Sequence, residues 1–218
     1  MNRLDWKTFI KGIYQKPHFA RRMIWCFLAV VVMGFCISWL NAIELGTDPC
    51  SVMNFGVSER LGMTFGNWQA LLNVCLFMVV IWKDKSKIGF GTLFNMFIVG
   101  YSCDFMTWIR ERFLGDLSFD ALWLRIVIMV VMLAIFVFAV AVYMSVDLGT
   151  APYDALPFII AGAQKKLSFK TVRILWDCAV TLIGYLCGGT VGIVTVIMAF
   201  TIGPIAALVG KHIKKYIE

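Results

Sequence analysis

The acidic side chains of this chain fall where a carboxylate is expensive to keep. Glu44 and Asp48 flank Leu45-Gly46-Thr47 and lead into Pro49, and the stretch returns as Asp147-Leu148-Gly149-Thr150-Ala151-Pro152, with Asp154 two residues on. Both stretches follow long apolar runs, and Asp177 lies inside another, between Trp176 and Cys178. A carboxylate at membrane depth is tolerated when paired, neutralised or hydrated, so such a residue marks a candidate ion or substrate path. A Gly-Thr turn running into proline breaks a helix and restarts it, because proline suits the first helical turn. A helix that restarts inside a membrane exposes unpaired N–H groups and a partial positive charge.

These residues predict a substrate or ion site built from Glu44, Thr47, Asp48, Pro49, Asn73, Asp147, Thr150, Pro152, Asp154 and Asp177. Asn73 is included because it aligns with Asp177 when the two halves of the chain are matched. With carboxylates already at the helix starts, a cation, a zwitterion or a proton-coupled solute fits better than a simple anion. Plainer readings stand beside this one: Asp48 and Asp154 as helix caps, Glu44 and Asp147 at the water interface, Asp177 in a helix–helix hydrogen bond. Asn54, Asn95 and Gln69 read as amide glue between helices.

Other chemistries find no motif. The chain has no Gly-Lys-Ser/Thr phosphate loop, no His-Glu-x-x-His and no Gly-x-Ser-x-Gly, so neither direct use of ATP nor an enzyme is predicted. Its 7 cysteines form an odd count without a Cys-x-x-Cys pair, which indicates neither a disulfide framework nor a zinc site. His18 and His212 sit beside basic termini and read as lipid-interface residues. No cofactor is expected.

The elements that must position these residues are membrane spans. Of 218 residues, 61% are hydrophobic and 15% charged, the composition of an all-α polytopic membrane protein. Residues 1–20 hold Arg3, Lys7, Lys11 and Gln15 on one helical stripe and Trp6, Phe9, Ile10 and Ile13 on the other, an interfacial amphipathic helix. No removable signal peptide is evident. Residues 21–109 form a first membrane repeat, with apolar runs over 21–43, 67–82 and 88–109 and a short segment over 50–61. A surface loop over 110–120 precedes a second repeat, 121–210, with runs over 122–146, 171–186 and 193–209 and a short segment over 152–163. A basic tail, 211–218, closes the chain. Each short segment covers roughly 18 Å at about 1.5 Å per residue, too little to cross alone.

Matching the halves pairs Arg22 with Arg125, Phe65 with Phe169, Gly89 with Gly192, Thr92 with Thr195 and Gly100 with Gly203. Duplication explains such scattered matches. Eight crossing helices would make the repeats parallel; three spans plus one short re-entrant helix in each would invert the second. Equivalent loops carry opposite charge bias: Arg60 stands against Lys165, Lys166 and Lys170, and Lys83-Asp84-Lys85-Ser86-Lys87 against the uncharged Cys187-Gly188-Gly189-Thr190. The positive-inside rule therefore favours inverted repeats with both termini cytoplasmic. The net charge of +7 is read as loop orientation and contact with anionic lipid, not as nucleic-acid binding.

The Leu-Gly-Thr-Asp-Pro and Leu-Gly-Thr-Ala-Pro breaks, the small size and the Thr64-Phe65-Gly66-Asn67-Trp68 entry into the next span resemble the YczE/YyaS/YitT group of bacterial membrane proteins. The resemblance runs from about Arg21 to Gly210 and implies a multi-pass protein of the bacterial inner membrane, nearer YczE because the cytoplasmic C-terminal domain of YitT-like members is missing. The architecture points to a secondary transporter of a small solute or ion, its site at the midplane between the two Gly-Thr-x-Pro breaks. The alternative is a non-transporting accessory or sensor acting through a partner. The lipid bilayer is the one partner the composition demands; a homo-oligomer is compatible with it.

Overall fold

The structure is a computed structural model that describes residues 16–115, 119, 121–164 and 166–217; the amphipathic segment expected over residues 3–15 lies outside them. Eight α-helices follow in order among the described residues: α1 Phe19–Ala42, α2 Pro49–Leu61, α3 Phe65–Lys83, α4 Phe90–Leu114, α5 Leu122–Ser145, α6 Pro152–Ala163, α7 Phe169–Leu186 and α8 Ile193–Ile217. A single 3-10 turn, Lys85–Lys87, leads into α4.

Helix starts follow the local sequence. Thr64 and Ser168 cap α3 and α7 alike, accepting from Asn67 N and Thr171 N, both at 3.2 Å, as hydroxyls at that position do. Proline opens both short helices, α2 and α6. Two helices outrun the expected boundaries. α4 continues to Leu114, into the segment read as surface loop, because Arg110 is still anchored on Ser38 O at 3.0 Å; the turn comes at Gly115, whose φ of 63° suits glycine. α8 runs to Ile217, so the basic tail continues that helix.

The contacts fix helix directions. Ser38 on α1 meets Thr107 on α4 at 2.8 Å, and Gly34 faces the backbone of Val99 and Cys103, so α1 and α4 run parallel. α5 runs opposite to α1: Arg22 Nη1 donates to Val146 O at 3.0 Å at one end, and Arg125 faces Glu44 at 3.7 Å at the other. α3 descends against α4, with Gly66 N donating to the Asp104 carboxylate at 3.0 Å. α7 ends where α2 ends, Arg60 donating to Leu186 O at 3.0 Å. Residues 43–64, carrying α2, thus leave and return at the bundle end where α1 finishes. Residues 146–168, carrying α6, leave and return at the opposite end.

Apolar packing divides in two. Cys26, Val30, Leu40, Ile43, Val146, Leu148, Val194 and Met198 fill the space among α1, α4, α5 and α8. Smaller clusters around Met53, Tyr153 and Val180, and around Val80, Ala155 and Leu156, join α2, α3, α6 and α7. α1, α3 and α5 are long and apolar enough to cross a membrane, and α5 presents Val127, Val130, Val131 and Phe138 outward, as a lipid-facing surface does.

Each helix break is clasped by the other half of the chain. Leu45 O accepts from Val194 N at 3.1 Å, and Leu148 O accepts from Gly91 N at 2.7 Å. Gly192 and Gly89 lie against those same two carbonyls, and their N–H groups donate to Thr195 Oγ1 and Thr92 Oγ1. Every residue in the first contact has its matched counterpart in the second.

Candidate functional site

Proline places Tyr153 and Asp154 in the first turn of α6, where an acidic side chain complements the positive helix end. Helical spacing on α7 sets Arg173 and Asp177 four residues apart on one face. The two helices pack together, and an ion triad forms. Arg173 Nε donates to Asp177 Oδ2 at 2.9 Å and its Nη1 to Asp154 Oδ1 at 2.7 Å. Tyr153 Oη donates to the other Asp177 oxygen at 2.7 Å. The Asp177 side chain is 4% exposed and that of Asp154 43%, so the triad runs from the interior to an open edge.

The first break brings a third carboxylate from the opposite end of the bundle. Asp48 caps α2, its Oδ2 accepting from Ser51 N at 3.1 Å. Its Oδ1 is buried with no hydrogen-bond partner. Cys50 and Met53, in the first turns of α2, pack in the apolar cluster that holds Tyr153 and Trp176, which brings the start of α2 beside the triad. Two amide oxygens, Asn54 Oδ1 and Asn73 Oδ1, are likewise buried and unpartnered. Asn54 gives its amide N–H to Cys50 Sγ at 3.6 Å and Asn73 to Gln69 O at 3.0 Å, leaving each oxygen idle. Natural proteins rarely leave buried acceptors unmade, and each one calls for an explanation. Among the described residues no three His, Cys, Asp or Glu side chains converge as metal ligands.

A cap and a charge can be separated at Asp48. Asparagine caps as well as aspartate, so Asp48→Asn is expected to leave thermal stability within about 0.5 kcal/mol, whereas Asp48→Ala is expected to cost about 1 kcal/mol. Unfolding of the two variants in detergent checks this.

The family profile of DUF6198, described as a family of unknown function, matches residues 20–211, which include every residue of this site. The chain belongs to that family. A Haemophilus influenzae relative, an uncharacterized protein, is 31% identical over 81% of this chain and 78% of its own. The uncharacterized membrane protein YczE of Bacillus subtilis is 21% identical over 86% of this chain and 85% of its own, and YyaS of the same organism 24% identical over 64% and 68%. These are two of the proteins whose group the helix breaks resemble. No solved structure matches.

In this DUF6198 protein, an integral membrane protein with apolar spanning helices, the predicted site residues separate into two sets. Asp48, Asn73, Asp154 and Asp177 belong to the four helices α2, α3, α6 and α7 that pack around the triad. Pro49 and Pro152 are buried at the starts of α2 and α6. Thr47 is buried in the first break, and Thr150 in the second donates from its backbone N to Lys87 O at 3.0 Å. Glu44 and Asp147 stand apart. Their side chains are 69% and 76% exposed at opposite ends of the bundle, paired with Arg125 and Lys16.

One member of the triad, Arg173, and Tyr153, which donates a hydrogen bond to Asp177, were not among the residues singled out from the sequence. The usable signal was the four-residue step from Arg173 to Asp177, which mirrors Gln69 and Asn73 in the other half. Where one half carries an ion pair, the other carries two buried amides.

Proposed function

We propose that this protein is a secondary transporter of a small solute or ion, not an enzyme, built from two inverted repeats of three spans and one re-entrant helix. The observation that carries the reading is the packing of the first turns of α2, entered from one end, against Tyr153 and Trp176 beside the triad, reached from the other. Antiparallel α1 and α5, and short helices whose flanking segments return to the end they left, support the inverted arrangement. Secondary transporters place substrate between such discontinuous helices near the midplane. Loop charges support an inner-membrane protein with both termini cytoplasmic.

A fully paired Arg173 favours a second reading, in which the triad only braces a membrane accessory protein that acts through a partner. Flux separates the two. Proteoliposomes are expected to accumulate or release solute with native protein and to lose most of that flux with Asp48→Asn; unaltered flux in this variant removes Asp48 from the path.

Topology is tested independently. In intact cells a membrane-impermeant amine reagent is expected to leave the loop of lysines 83–87 unmodified and to reach it only after permeabilisation. Labelling of that loop from outside would reverse the orientation.

A further inference from the structure

Hydrogen-bond accounting around the triad shows acceptors in excess. Tyr153 Oη is spent on Asp177, and the Arg173 guanidinium bridges Asp177 and Asp154. Asp48 Oδ1, Asn54 Oδ1 and Asn73 Oδ1 remain buried without donors. Asn54 is 1% exposed and Asn73 4%. Their faces turn toward the triad. On α3, Leu76 and Val80 continue the stripe of Asn73 and pack against Trp176 and Ala155. On α2, Cys50 and Met53 beside Asn54 pack in the cluster that holds Tyr153 and Trp176. The charge count points the same way, three carboxylates against one guanidinium.

We propose that Asp48, Asn54 and Asn73, together with the open edge at Asp154, form a seat for one small monovalent cation: an alkali ion or the primary ammonium group of a solute. Either species supplies what idle oxygens lack, positive charge from an alkali ion or up to three N–H donors from an ammonium. Trp176 packs on Tyr153 with ring centroids 5.7 Å apart, and the Tyr153 ring already faces the Arg173 guanidinium at 5.4 Å, so the aromatic side of the cluster is one that holds a cation. Trp176 Nε1, like Trp68 Nε1 a buried donor without a partner, leaves room for an acceptor on the same solute. A divalent metal fits less well, since no three strong ligand side chains converge among the described residues. The Asp154 side chain, 43% exposed, leaves the seat an open edge.

This assignment deepens the transporter reading and rests on it for the meaning of the two helix starts, but its test needs no transport. Purified protein in detergent is titrated with sodium, potassium or methylammonium chloride, each against N-methyl-D-glucamine chloride at constant ionic strength, and the unfolding midpoint is followed. A saturable rise with at least one of the three is expected, because a ligand of the folded state raises its apparent stability. The ion giving the rise identifies the source: alkali metal or amine. Asp48→Asn, which keeps the cap, is expected to weaken the apparent affinity at least about tenfold, the factor that follows from losing one charge-assisted contact. Asn73→Leu is expected to weaken it about threefold while leaving the cap and the triad in place. No saturable rise in native protein with any of the three ions overturns the seat, as does a rise of equal affinity in both variants. Saturable stabilisation without flux in proteoliposomes leaves the seat standing and removes the transporter reading; flux without cation binding does the reverse.

Discussion

Arg173→Leu is expected to destabilise the folded protein by about 3 kcal/mol, the lower end of the range for breaking a buried ion pair by removing one partner. The loss arises at Asp177. Its side chain is 4% exposed, and without the guanidinium its carboxylate keeps only the Tyr153 hydroxyl. Asp154 contributes little to the loss, because at 43% exposure it turns to solvent when released. The 29% exposure of Arg173 itself is why the lower end applies. Adding Asp177→Asn to Arg173→Leu is expected to recover most of the stability, since a neutral amide oxygen still accepts from Tyr153 and no buried charge is stranded. Denaturation in detergent checks the series. A single variant as stable as the native protein would mean that water already solvates the triad.

That pair of variants also converts one half of the site toward the other. Asn73 already occupies the position matched to Asp177, and Gln69 the position matched to Arg173. The two halves present matched positions, and the charged chemistry lies in one of them. Recovery of stability without recovery of cation binding would separate what the triad does for the fold from what it does for a ligand.

The frame was legible because it is written in identities. Leu-Gly-Thr-x-Pro occurs twice, proline marks both short helices, and the bounds expected for the second, 152–163, are those of α6. Helix ends set by tertiary anchors were not legible: α4 continues to Leu114 because Arg110 reaches Ser38, a residue far away in sequence. Within the site, carboxylates announced themselves against an apolar background, while Arg173 did not. It follows Lys170 at the entry of an apolar run, where a cation reads as topology signal, and only the packing of α6 on α7 reveals that it bridges two aspartates. Glu44 and Asp147 illustrate the opposite failure. They belong to the stretch that occurs twice within the chain, yet their left-handed backbones, with φ of 54° and 50°, turn them out to Arg125 and Lys16.

The reciprocal clasp was half legible, as the alignment of Gly89 with Gly192, and it carries the other large expected effect. Gly89→Ala would place a methyl group 2.1 Å from Leu148 O, and Gly192→Ala one 2.1 Å from Leu45 O. Neither carbonyl can retreat freely, since Gly91 N and Val194 N hold them at 2.7 and 3.1 Å. At Gly89 the backbone is extended, with φ of −166°, so alanine incurs no conformational penalty and the whole cost is the clash. Each substitution is expected to cost about 3 kcal/mol or more, beyond ordinary overpacking because backbone must move. Gly162→Ala is the control: nothing lies within 4 Å of its added methyl, and in a helix it should stabilise by about 0.5–1 kcal/mol. Unfolding midpoints of the three variants test this, and a near-neutral Gly89→Ala would mean that the second break does not seat on the start of α4. The two clasps lie at opposite ends of the bundle, so their losses should add in the double variant. Because Leu45 in one half of the chain seats on Gly192 in the other, and Leu148 on Gly89, neither break is complete within its own half. Each half expressed alone should therefore fail to hold its helix break, and co-expression of the two halves should restore it.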